Sequence, residues 1–169
     1  MIHSRCYSRA HSSTDSQGGV AVVDDKNRRI EVRDKSLRQL PSFVINNRDI
    51  LEHLILDGNN LTENAFNMPT FRRLRTLSIK RNKIRDISRL LGYVKQCCPR
   101  LESLSLTGNP GWPLLHKGLI DQRYLKFRSE TERFLPRLLY LDSLPTMNEE
   151  RCSSSLSNAD SDILSIVTT

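Results

Sequence analysis

Three stretches of the chain carry one spaced pattern. "LEHLILDGN" starts at Leu51, "LRTLSIKRN" at Leu74 and "LESLSLTGN" at Leu101. Each reads L-x-x-L-x-[LI]-x-x-N, and the starts are 23 and then 27 residues apart. Within each stretch the leucines alternate with other residues, the two-residue period of a short strand. Leu54 and Leu56 then share one face, while His53, Ile55 and Asp57 share the other. One such unit has too little apolar surface to bury its own leucine face. Stacked units bury theirs against each other, so the repeat predicts a parallel sheet over a continuous core.

Both spacings lie in the range of leucine-rich repeats. The expected fold is therefore α/β: a leucine-rich-repeat solenoid with a short parallel sheet, a helical or irregular convex side and a C-terminal helical cap. A weaker copy comes first, with Ile30, Val32, Leu37 and Leu40 in the apolar positions and Lys35 where Asn is expected. "DISRLLGYVKQC" (86–97) puts Ile87, Leu90, Leu91, Val94 and Cys98 on one helical face. Asp86 or Ser88 is the candidate cap, and Pro99 ends the helix. Asn59, Asn82 and Asn109 hold one repeat position. Asn side chains satisfy backbone groups in tight turns. These three read as an internal hydrogen-bonded ladder and not as catalytic groups.

Composition narrows the rest. The 169 residues suggest one domain with tails, and a hydrophobic fraction of 37% is low for a globule. The expected division is a disordered tail over 1–26, the repeat domain over 27–150 and a disordered Ser/Asp-rich tail over 151–169. In the last tail, Ile163, Leu164, Ile166 and Val167 form an apolar patch too small for a core, which reads as a docking motif or a frayed end. The N-terminus has no apolar h-region, so no secretory signal is expected. No apolar run approaches the roughly 20 residues of a membrane span. Cys6, Cys97, Cys98 and Cys152 form no CxxC pairs, which argues against both a zinc site and a disulfide framework. Cys98 reads as a small buried hydrophobe. These features point to a reducing compartment, the cytoplasm, with the nucleus as the alternative.

After the third repeat, "YLKFRSETERFLPRLLYLD" (124–142) reads as a helix running into a terminal strand, with Tyr124, Phe127, Phe134 and Leu138 as its large apolar groups. An open stack of repeats exposes its last leucine layer, so a cap is required. Tyr124, Phe127 and Arg128, then Leu135-Pro136, Leu138 and Leu141-Asp142, resemble the LRRcap of the U2 small nuclear ribonucleoprotein A-prime class. The cap is expected over about 117–146. The first arginine and the valine of that pattern are missing here. "LEHLILDGNNL", "LRTLSIKRNKIRDISRLLGYV", "CCPRLESLSLTGNPGWP" and "FLPRLLYLDS" resemble the leucine-rich melanocyte differentiation-associated protein family. This resemblance covers about residues 27–150. It implies a non-enzymatic interaction protein connected with pigment-cell differentiation, while the wider cap-bearing class includes nuclear, RNA-associated members.

Two surfaces are candidates for binding. The concave face takes the strand residues between the leucines. These are Arg29, Glu31 and Arg33, then His53, Ile55 and Asp57, then Thr76, Ser78 and Lys80, then Ser103, Ser105 and Thr107. The second surface lies in the stretch from Arg72 to Lys95, which holds nine basic residues and the single acid Asp86. Lys80, Arg81, Lys83 and Arg85 form a basic ridge along one edge. With a net charge of +7, an acidic partner surface is expected. An acidic protein is preferred to nucleic acid, because no aromatics interleave the charges for base stacking. Neither His53 nor His116 has a serine or cysteine at a catalytic spacing, and no phosphate-binding glycine loop occurs. The expectation is a monomeric protein-binding adaptor that is not an enzyme and uses no metal or cofactor.

Overall fold

The computed structural model describes residues 22–24, 28–113 and 122–147. Seven short strands form one sheet in chain order: β1 (Val22–Asp24), β2 (Arg29–Glu31), β3 (His53–Ile55), β4 (Thr76–Ser78), β5 (Ser103–Ser105), β6 (Tyr140–Leu141) and β7 (Leu144–Pro145). The neighbours from β2 to β6 pair in parallel, and the two outermost pairs are antiparallel. The molecule is thus mixed α/β. Its register sets repeat against repeat. Arg29, His53, Thr76, Ser103 and Tyr140 lie side by side, as do Ile30, Leu54, Leu77, Leu104 and Leu141.

The second of those rows is the core. All five of its residues are buried, as are Leu56, Ile79 and Leu106 behind it and Leu51, Leu74 and Leu101 ahead of it. Each buried leucine contributes about 1.5–3 kcal/mol relative to an exposed one. These columns of like residues are therefore the main stabilising element.

The links between strands differ in kind. After β2 comes α1 (Ser42–Asn46), after β3 a 3-10 turn (Glu63–Phe66) and after β4 the longer α2 (Ile87–Cys97). The 27-residue spacing leaves room for that helix. Asp86 caps α2, its carboxylate accepting from the Arg89 amide at 2.9 Å. Ile87, Leu90, Leu91, Val94 and Cys97 form the buried face. Cys97, and not Cys98 as expected, completes that face; Cys98 is buried just past the end, and the Cys97 thiol donates to the Met68 carbonyl at 2.8 Å.

Past β5 the chain turns through buried Trp112, and α3 (Gln122–Phe134) leads to β6 and β7. Trp112 meets Tyr124 and Phe127 edge to face, with ring centroids 6.1 and 5.9 Å away. This is the favoured geometry for aromatic pairs.

Two further expectations change at this level. The N-terminal tail does not run through residue 26, because Val22–Asp24 pairs with β2 and supplies that edge of the sheet with hydrogen-bonding partners. Phe134 is not a core group. It is 40% exposed on α3, with the Lys95 ammonium 4.4 Å from its ring centroid. Tyr124, Phe127 and Thr131 turn inward; Phe134 continues their helical stripe but, as the last residue of α3, is left exposed. Finally, the tail over 151–169, the cap residues 117–121 and His116 lie outside the described residues.

Candidate interaction face

The sheet holds three rows of side chains opposite the leucines. The first runs Arg29, His53, Thr76, Ser103 and Tyr140, and the second Glu31, Ile55, Ser78 and Ser105. Backbone bonds extend the register, placing Arg33, Asp57, Lys80 and Thr107 in a third row.

Not all of these predicted contact residues reach solvent. Ile55, Asp57, Ser78 and Ser105 are buried at 4–8% exposure. Three of them belong to the middle row, and Asp57 to the third. Asp57 is also engaged: one carboxylate oxygen accepts from the Ser78 hydroxyl at 2.7 Å and the Lys80 amide at 2.9 Å. Its other oxygen lies 3.6 Å from the Arg33 guanidinium. Arg29, Arg33, His53, Thr76, Lys80, Ser103 and Thr107 of the predicted face reach solvent.

The N-terminal half of the face is charged and internally paired. Glu31 sits between Arg29, at 3.0 Å, and Arg33. Burial pushes its pKa up, but the hydrogen bonds and charges of the two arginines outweigh that and leave it below the usual carboxylate value. His53 Nδ1 and the Thr76 hydroxyl are 3.0 Å apart. The C-terminal half is small and neutral until Tyr140, which is 39% exposed.

Tyr140 is the residue that the repeat template misses. "LLYLD" lacks the full spacing and its asparagine, so only the alignment of Leu138 with Leu101 and of Leu141 with Leu104 would have placed Tyr140 in the row of Ser103.

The basic residues sit beside this face, at the turns. Arg81, Lys83 and Arg85 are exposed, and Lys80 is half-buried in the third row. Arg81 lies 3.8 Å from the Asp34 carboxylate, and the Arg85 amide donates to Glu63. On the opposite edge, equal positions alternate in charge. Arg28 meets Glu52 at 2.6 Å, and Arg75 meets Glu102 at 3.4 Å.

The asparagines hold these turns from inside. Asn59 donates to the Val32 and Leu56 carbonyls at 2.8 and 2.9 Å and accepts from the Lys35 and Leu37 amides. Asn82 donates to Leu56, Ile79 and Lys80 and accepts from the Leu61 amide. Asn109 donates to Ile79 and Leu106 and accepts from the Ile84 amide. Each amide thus binds its own turn and the preceding repeat.

Burial, with the neighbouring Cys97 adding to it, pushes the pKa of the Cys98 thiol up to about 12. A thiol so placed is a poor nucleophile. Among the described residues, no three His, Cys, Asp or Glu side chains are grouped to hold a metal. Among the same residues, no helix is long and apolar enough to cross a membrane.

The fold and face thus define a mixed α/β chain of leucine-bearing repeats with a continuous sheet surface. No family model matches it. The chain is similar to the leucine-rich melanocyte differentiation-associated protein of Homo sapiens, at 36% identity over 103 residues, which is 60% of this chain and 52% of that protein. It spans about half the length of that curated relative. The similarity supports the family resemblance carried by the repeats.

Proposed function

We propose that the chain is a capped leucine-rich-repeat solenoid acting as a non-enzymatic adaptor. It presents its concave sheet and the basic edge Lys80, Arg81, Lys83 and Arg85 to an acidic protein partner. The observation that carries this reading is the row-by-row register of the sheet, held from within by buried asparagine amides. Such a surface is ordered before its partner arrives, so docking costs little further entropy. The name of the relative favours a role in pigment-cell differentiation. The reading includes a monomer without metal or cofactor, working in the cytoplasm or the nucleus.

The test is capture of protein partners by the wild-type chain and by the double variant Lys80→Glu, Arg81→Glu. Both side chains are outside the core, so folding is expected to be unchanged. Loss of capture supports the basic edge, and unchanged capture removes it.

A second reading is an RNA-associated component like the A-prime class. Tyr140 favours it, because an exposed aromatic on the face is a stacking platform for a base. Salt-titrated binding to single-stranded and structured RNA separates the two. Weak, sequence-blind, salt-sensitive binding favours the adaptor. Sequence-selective binding that Tyr140→Ala abolishes favours the RNA reading.

A further inference from the structure

Helix α3 packs inward through Tyr124, Phe127 and Thr131, and its other side borders a groove whose walls are Leu125 and Met147. Leu125 is 42% and Met147 62% exposed. The floor is the Arg128–Glu132 pair, 2.9 Å apart and nearly buried, with Ser129 beside it. Lys126 lines the rim, and Arg133, exposed seven residues further along the same helical side, lies beyond it, with exposed Glu130 between them. The groove is thus apolar in its walls and carries Lys126 at its edge, and Met147, one of its walls, is the last described residue before the C-terminal segment.

The sequence contains a segment of complementary chemistry. Ile163, Leu164, Ile166 and Val167 have no core of their own to join, and Asp160 and Asp162 stand immediately before them. The intervening stretch 148–162 spans up to about 50 Å when extended, more than enough to return to a groove beside Met147. Closing a loop of that length costs little, because the entropy penalty grows only with the logarithm of its length.

We propose that residues 163–167 dock in the Leu125–Met147 groove of their own chain, with Asp160 and Asp162 against Lys126 and Arg133. The tail would then cover the apolar walls of the cap and hold an acidic segment on the basic side of α3. A partner or modification that withdraws the tail would expose the groove.

Methyl NMR of the Leu125 and Met147 side chains in the full chain, compared with a chain ending at Asp162, tests this. Docking predicts that both methyl signals shift on truncation by the same amount at every protein concentration. It also predicts that Leu164→Ser with Ile166→Ser reproduces the truncated spectrum. Identical spectra of the full and truncated chains overturn the proposal. So does a shift that grows with concentration, which assigns the groove to a second copy.

Discussion

The indole nitrogen of Trp112 donates to one carboxylate oxygen of Asp142 at 2.7 Å, while the other oxygen accepts the Leu106 and Thr107 amides at 2.7 and 3.1 Å. In the earlier repeats the equivalent amides of Leu56 and Ile79 donate to the next strand's carbonyls. At the end of the array a side chain takes over that task. Arg128 closes the far side by donating to the carbonyls of Leu141, Leu144 and Pro145. The cap is thus a hydrogen-bonded lid as well as an apolar one.

Asp142→Ala leaves three donors without their acceptor and places alanine at a φ of 53°. Unsatisfied buried donors cost about 1–3 kcal/mol each. The expected loss is about 3 kcal/mol in urea unfolding, with the emission of the single tryptophan moving towards its solvent-exposed position. Asp142→Asn keeps an acceptor and tolerates the left-handed backbone, so it is expected to lose less.

Asn82→Ala removes three carbonyl contacts and the acceptor for Leu61 from a buried turn. About 3 kcal/mol of destabilisation is expected, on the same scale of about 1–3 kcal/mol per unsatisfied group. A thermal melt matching wild type would contradict the ladder.

Asp34, Gly58, Arg81 and Gly108 all precede the turn position of their repeats, and all have positive φ. The turn demands that conformation whatever the residue. Arg81→Gly relieves about 1–2 kcal/mol of left-handed strain against about 0.5–1 kcal/mol of extra chain entropy. Stability should therefore hold or rise slightly in a denaturant titration. Gly111→Ala should do the opposite, because its Cβ would lie 2.1 Å from the Arg85 carbonyl oxygen. That backbone has no flexible side chain to move aside.

Cys98 should resist alkylation at pH 8 in the folded chain and react once the chain is unfolded, as read by peptide mass spectrometry. The sign for stability follows from the raised pKa of about 12. The unfolded thiol loses its proton near pH 8.5, while the folded one retains it. Stability from this group is fully present below pH 8.5 and is lost as pH rises towards 12. Cys98→Ala should flatten that alkaline decline.

The repeats were legible because leucine spacing and a turn asparagine are local signals that recur. The capped helix over 87–97 was legible for the same reason, through one apolar face and Asp86. The cap was only partly so. Phe134 looked like a core aromatic because it shares the helical stripe of Phe127 and Thr131, and that spacing does not say that the packing ends before the last residue of α3. Trp112 gave no signal at all, since its partners Tyr124, Phe127 and Asp142 are distant in sequence. Ile55 and Ser105 matched the template for an open face, yet their burial depends on side chains from neighbouring strands.

By itself, then, the sequence determined that units of this length must stack, which repeat leucines point to the core and where each turn needs its amide. These follow from alternation and from the cost of burying unpaired backbone groups. Only the tertiary structure decided how the stack ends and how much of its face reaches solvent. Both depend on contacts between elements tens of residues apart: the Asp142 carboxylate against the end of β5, Tyr140 beside Ser103, and the burial of Ile55, Ser78 and Ser105 between neighbouring strands.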